Sequence, residues 1–208
     1  MSTPPDLLQR VSAPTLAHYG AQAEAFWAGT RDHDVSQNIE ALLGHIEGPA
    51  PFTLLDFGCG PGRDLVAFSR LGHRAIGLEG TPAFVEMARQ HSGCEVWQQN
   101  FLALDLPPAF FDGIFANASL FHVPGADLPR VLRQLHDALK PRGILLSSNP
   151  IGQDEEGWAN GRYGVFHDPA SWCAHLQAAG FEACLQYFRP PGVPRAQQRW
   201  FAGVWRKA

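Results

Sequence analysis

The spacing of apolar positions along the chain switches repeatedly between a helical and an extended period, and the switches mark out its elements. Between 15 and 29, Leu16, Tyr19, Ala23, Phe26 and Trp27 recur at helical spacing, which predicts a helix. Ile39, Leu42, Leu43 and Ile46 predict a second helix over 37–45, with Asp34 or Ser36 as its cap. A short apolar run closed by an acid, 53–56, then predicts a buried strand. Leu65, Val66, Phe68 and Leu71 return to helical spacing directly after three alternating glycines. A strand over 74–78 ends at Glu79, and Thr81 with Pro82 opens a helix to about His91 that turns Phe84, Val85 and Ala88 inward. Strands over 95–98 and 110–116, a helix over 128–139 and a strand over 144–148 continue the alternation, which predicts a parallel sheet. A helix from Asp168-Pro169 packs Trp172, Leu176 and Ala179 and stops at Gly180, and 181–188 and 199–205 read as strands.

Composition narrows the class. The 208 residues suit one domain with a full core, and 45% hydrophobic with 17% charged residues describes a globular chain. A net charge of -4, with no basic run longer than two residues, argues against nucleic acid as a partner. No apolar run reaches membrane length, and the polar, Pro-rich 1–13 does not read as a secretory leader. Residues 1–14 read as a frayed arm. The four cysteines, Cys59, Cys94, Cys173 and Cys184, form no CxxC pair, so no metal site is expected and reduced thiols in a cytoplasm are.

The chemistry is concentrated in Leu54 to Asp64, LLDFGCGPGRD. Strand, glycine turn and helix open a nucleotide-binding βαβ unit: a turn without side chains admits a ligand to the backbone, and the new helix points free N–H groups at it. A dinucleotide fingerprint, GxGxxG, would place Gly or Ala at 63; Arg63 stands there, so the pattern is GxGxG, which argues for another adenosyl ligand than NAD. Glu79 follows Gly58 by 21 positions, near where a carboxylate accepts both ribose hydroxyls in such units.

These residues resemble the first motif of the class I S-adenosylmethionine (SAM)-dependent methyltransferases of small-molecule type. The resemblance runs from about Tyr19 to the C-terminus. It implies one α/β domain over 1–208, doubly wound, with seven mostly parallel strands and the last reversed. It also implies N-terminal arm and lid helices within 1–46. SAM is the implied cofactor, bound by Asp56, Gly58, Cys59, Gly60, Gly62 and Asp64 around the turn and by Glu79, Gly80 and Thr81 after the second strand. Tyr19 and Trp27 in HYGAQAEAFWAGT match the lid helix. Asn100 stands where the family usually has an adenine-binding Asp, with Phe101 beside it; an amide still accepts and also donates. NASLFHVP, after the fourth strand, resembles the loop beneath the sulfonium, which gives Asn117 and Ala118 cofactor contacts and places His122 on the acceptor side.

Residues 149–168, NPIGQDEEGWANGRYGVFHD, are too long for a plain connection and read as an active-site flap. His122 and His167 are the candidate general bases and Tyr163 a positioner, should the acceptor carry a proton. The expected reaction moves the methyl group of SAM to O, N or S of a small molecule. A SAM-binding sensor without methyl transfer is the other reading, and a nicotinamide oxidoreductase is disfavoured by Arg63.

Overall fold

A computed structural model describes residues 8–208. Thr53–Phe57 (β1), Arg74–Glu79 (β2), Glu95–Gln98 (β3), Phe111–Asn117 (β4) and Leu139–Pro150 (β5) are the parallel strands. Phe181–Arg189 (β8) and Trp200–Lys207 (β9) complete a seven-stranded sheet in the order β3-β2-β1-β4-β5-β9-β8. β9 runs antiparallel to both β5 and β8, so the last strand is the reversed one.

Helices cover both faces. Alternate side chains of β1 show why: Leu54 belongs to one buried layer and Leu55 to the other. The Leu54 layer takes Ile39 and Leu42 from Ser36–Leu43 (α3), Leu65 and Phe68 from Arg63–Arg70 (α4), and Val85 and Ala88 from Pro82–Ser92 (α5). The Leu55 layer takes Val131, Leu132 and Leu135 from Leu128–Ala138 (α6), and Trp172 and Leu176 from Pro169–Ala178 (α7). Within it the hydroxyl of the fully buried Ser147 accepts from two indoles, Trp172 at 3.0 Å and Trp205 at 3.2 Å, which satisfies both N–H groups in an apolar setting. α7 starts on Asp168, whose carboxylate accepts from the Ser171 N–H at 2.8 Å.

The chain order reverses direction across the sheet between β1 and β4, and at such a switch point the carboxyl ends of the strands open a crevice. Three segments differ from expectation. The single lid helix is two, Ala13–Ala21 (α1) and Ala23–Thr30 (α2), broken at Gln22, whose φ of -120° leaves helical geometry. The expected frayed arm is ordered from Leu8, where Leu8–Ser12 forms a π-helical turn that runs into α1; Thr15 hydrogen-bonds back to the Val11 carbonyl at 2.9 Å. The part of that arm in 1–7 lies outside the described residues.

The third difference is in the flap. It is a regular hairpin, Glu155–Ala159 (β6) paired with Arg162–Phe166 (β7). Asn160 and Gly161 form its two-residue turn with φ of 50° and 76°, the doubly left-handed turn that matches strand twist. No helix among the described residues is long and apolar enough to cross a membrane.

Candidate active site

β1 runs directly into the glycine turn, whose first position admits no side chain. Gly58 has φ +80°, and a Cβ there would lie 2.5 Å from Cβ of Ser119. Glu79, at the end of β2, fastens the turn from below. Its Oε2 accepts from Gly60 N–H at 3.1 Å and its Oε1 from Thr81 N–H at 2.7 Å. Burial pushes this carboxyl above its ordinary pKa, against the pull of those N–H groups.

Two cavities meet over this turn. The first is lined by Ser12, Leu16, Glu79, Asn100, Phe101 and His122 among others; the second by Trp27, Arg63, Asn117, Arg162, Arg189 and Trp200 among others. Tyr19, Phe26, Gly58, Gly60 and Ala118 face both.

The first cavity fits an adenosyl ligand by several independent features. Gly60 leaves its would-be side-chain space open, with only the Phe26 ring 3.8 Å from an added Cβ. The hydroxyls of Thr81 and Ser119 are buried there with no protein partner. Glu79 keeps lone pairs beyond the two that its backbone donors occupy. Phe101 stacks on Phe57 with centroids 4.2 Å apart, which fixes its ring at the wall. Asn100 reaches the cavity, yet its amide already donates to Ser12 Oγ at 2.6 Å and accepts from Leu102 N–H at 2.9 Å. Gly80 lines the same wall under the Leu16 side chain.

A hydrogen-bonded chain runs from α1 across the wall of the two cavities. Arg162 donates to the Tyr19 hydroxyl at 3.1 Å, and that hydroxyl lies 2.9 Å from His122 Nε2. His122 Nδ1 stands 2.6 Å from the Tyr163 carbonyl, which can only accept, so the proton sits on Nδ1 and Nε2 accepts from Tyr19. The Tyr163 N–H donates to Thr15 Oγ1 at 3.0 Å. α1, the turn after β4 and the hairpin are thereby fastened together. Both nitrogens of His122 are committed, and burial, with the Arg162 charge adding to it, pushes its pKa down to about 4.

A pH prediction follows. Between about pH 6.5 and 4 the unfolded chain binds a proton at this imidazole that the folded chain resists, so stability falls as pH falls through that window. The contribution has an upper bound of roughly 3 kcal/mol. Urea unfolding of parent and His122→Asn should show the difference between them shrinking from pH 7.5 to pH 4.5; a constant difference would mean that His122 is not held neutral.

The structure divides the remaining sequence candidates. Cys59, Asp64, Trp27 and Asn117 line the second cavity. Asp64 is gripped by Arg63, with contacts of 2.7 and 2.8 Å, and Trp27 stacks on His91 at 4.5 Å. Asn117 accepts from Asn38 at 2.9 Å, which in turn accepts from Tyr187 at 2.7 Å. Asp56 and Gly62 line neither cavity. Asp56 is buried behind the turn, its pKa pushed well up by desolvation and then by Asp64. Gly62 (φ +93°) lets α4 cross α5, since a Cβ there would lie 2.8 Å from Ala88 Cα.

Two of the three expected catalytic side chains are not brought to either cavity. His167 pairs with Asp154 at 3.0 Å and packs against Trp172 and His175. The Tyr163 hydroxyl donates to Glu156 at 2.8 Å, so only its backbone serves the lid. Conversely, Phe26, Ser119, Arg162, Arg189 and Trp200 reach the site without having been assigned a role. Phe26 had a readable signal, seven positions after Tyr19 on one helical face; Arg189 and Trp200, in the closing strands, had none.

Known proteins bear on this geometry. The methyltransferase-domain family model matches residues 55–147, the stretch from β1 into β5. The 2-phytyl-1,4-naphtoquinone methyltransferase of Thermosynechococcus vestitus is 30% identical, the alignment covering 68% of this chain and 77% of that one. The trans-aconitate 2-methyltransferase of Azoarcus sp. is 32% identical over 66% of this chain and 53% of its own. This chain spans about half or less of the length of that and several other curated relatives. The crystal structure of Burkholderia thailandensis 1,6-didemethyltoxoflavin-N1-methyltransferase, with 1,6-didemethyltoxoflavin and S-adenosylhomocysteine bound, superposes with a TM-score of 0.77 at 21% identity, covering 100% of this chain and 93% of that one. The glycine turn, the acid after β2, the reversed β9 and these matches lead to one conclusion: the chain belongs to the class I S-adenosylmethionine-dependent methyltransferases.

Proposed function

We propose that the protein transfers the methyl group of SAM to a nucleophile on a small molecule. The observation that carries this reading is the shared wall. Tyr19, Gly58, Gly60 and Ala118 face both cavities, so a donor in the first and an acceptor in the second meet at the glycine turn. SAM supplies an already activated methyl group, and the protein's task is alignment and exclusion of water.

In this reading Glu79 accepts from the ribose hydroxyls, with Gly80 and Thr81 closing that end. Asn100 and Phe101 flank the adenine, while Gly58 and Gly60 receive the amino-acid end. Tyr19 and Phe26 shut the first cavity, and the His122 chain holds Tyr19 in place. His122 is assigned to orientation of the lid, because neither of its nitrogens is left to receive an acceptor's proton. The acceptor enters from the Trp27, Asn117 and Trp200 side. Four unpaired cysteines suit a reducing compartment, and the cytoplasm is the location we assign.

The test is direct. Calorimetric titration should show SAM binding, and incubation with methyl-labelled SAM and a small-molecule cell extract should move label onto a metabolite. Binding without any transfer across extracts would favour a sensor instead.

A further inference from the structure

The second cavity carries two guanidinium groups that no carboxylate of the described residues pairs with directly. It is also lined by Arg63, but that cation is spent: its Nε and one Nη grip the two oxygens of Asp64, and its other Nη donates to the Thr30 carbonyl at 2.9 Å. Arg162 is different. Its one described bond goes to the Tyr19 hydroxyl, and its charge lies over the Tyr19 ring, 5.5 Å from the centroid. Arg189 donates through one Nη to the Asp34 carbonyl at 2.9 Å, while its Nε–H is buried with no partner. Neither has a carboxylate within ion-pair distance among the described residues. Asp34, the remaining acid of the wall, is exposed and turns Oδ1 onto the Ser36 N–H at 2.9 Å. With Arg63 and Asp64 cancelling, Arg162 and Arg189 outnumber Asp34, and the cavity is net positive.

A buried guanidinium N–H without a partner is costly unless something completes it, and planar forks match carboxylates best. A second observation concerns what the cavity lacks. Of the side chains expected to take a proton, His122 is committed at both nitrogens, and His167 and the Tyr163 hydroxyl lie elsewhere. Of the other His, Asp and Glu side chains on this cavity's wall, Asp64 is held by Arg63, and His33 and Asp34 are exposed, so the interior of the site suits a nucleophile that arrives without a proton.

We infer that the acceptor is a carboxylate, held by Arg162 and Arg189 and methylated on oxygen to give a methyl ester. This rests on the methyl-transfer reading above. In the step one carboxylate oxygen forms a bond to the methyl carbon, the sulfur–methyl bond breaks, and its electron pair stays on sulfur. The carboxylate loses its negative charge and the sulfonium its positive charge, so no proton moves and no base is required. A methyl ester would also leave readily, since the product no longer pairs with the two arginines.

The linkage formed can be read without knowing the acceptor. Methyl esters release methanol in mild alkali, whereas methyl groups on ether oxygen, nitrogen, sulfur or carbon do not. The protein is incubated with methyl-labelled SAM and a small-molecule extract, alkali is added, and volatile label is collected. The transferred label should become volatile. Arg189→Gln and Arg162→Gln should each lower transfer by about tenfold or more, with Arg189→Lys retaining more than Arg189→Gln because it keeps the charge. Calorimetry on Arg189→Gln should give SAM affinity within about threefold of the parent, and thermal melts should confirm folding of both variants. Label that transfers but resists alkali overturns the carboxylate while leaving methyl transfer standing. Loss of SAM affinity in Arg189→Gln also overturns it, because that arginine would then serve the cofactor's own carboxylate. SAM binding with no transfer removes the methyl-transfer reading, and this inference with it.

Discussion

Gly60→Val is expected to abolish SAM binding while the protein still folds. The three glycines of the turn differ in what a side chain would strike. At Gly58 a Cβ would meet Ser119 Cβ at 2.5 Å and the Phe101 ring at 3.0 Å; at Gly62 it would meet the Ala88 backbone at 2.8 Å. Substitution at either attacks the packing of the fold. At Gly60 the nearest atom is in the Phe26 ring, 3.8 Å away, and the added group would stand in the space that both cavities share. The fold loses only the left-handed backbone preference at φ +52°, about 1–2 kcal/mol and somewhat more for a branched residue. The ligand loses its place entirely, so affinity should fall at least 100-fold, roughly 2.7 kcal/mol. Calorimetry should register no binding heat in a variant that still melts cooperatively, and thermal shift should show SAM stabilising the parent alone. Gly62→Val serves as the contrast and should fail to fold. A Gly60→Val protein that binds SAM within about threefold of the parent would make the turn purely structural.

These distinctions mark what was legible in the sequence. The parallel strands and the helices between them were readable because each buries a side-chain pattern of its own period, as Leu54 and Leu55 do on opposite faces of β1. The reversed last strand came from family resemblance, not from any local signal. The glycine turn and Glu79 were readable because backbone conformation restricts which residues can occupy a left-handed turn, and because Glu79 stands at the end of the next strand, 21 positions after Gly58. The role of Gly62 in helix crossing was not, since a positive φ and a ligand contact demand the same residue.

The hairpin in the flap was legible and passed over. Asn160-Gly161 between segments carrying Trp158 and Tyr163 is the short-range signature of a two-residue hairpin turn, obscured by the glycines around it. The break at Gln22 was less accessible, because helical periodicity persists across it. What lay beyond sequence reasoning was the pairing of distant side chains. The lid chain joins Tyr19, His122 and Arg162, and the second cavity joins Trp27 to Arg189 and Trp200. Residue type and the resemblance of its loop made His122 a candidate base; the Tyr163 carbonyl and the Tyr19 hydroxyl, 41 and 103 positions away, make it a neutral anchor.

Glu79→Ala should damage both the ligand site and the protein, for one geometric reason. The carboxylate holds Gly60 N–H and Thr81 N–H at once, and so positions the turn that carries Gly60 and the start of α5. Without it those donors lose a charged partner at the floor of the first cavity, at a cost of about 1–3 kcal/mol each unless water replaces it. The ribose loses its acceptor as well, which is expected to weaken SAM binding by at least tenfold, about 1.4 kcal/mol. Glu79→Gln should fall between, because one amide oxygen can serve one N–H while the NH2 faces the other donor. The pH dependence has a definite sign. Burial raises the folded pKa of Glu79 above its ordinary value, so the folded state holds this proton more tightly than the unfolded chain. Its contribution to stability is then greatest below the unfolded value and declines as pH rises towards the folded one. Urea unfolding without ligand should therefore show the parent's advantage over Glu79→Ala larger at about pH 4 than at about pH 7. Calorimetry at neutral pH reads the ribose role separately, and a folded Glu79→Ala protein with unchanged SAM affinity removes Glu79 from it.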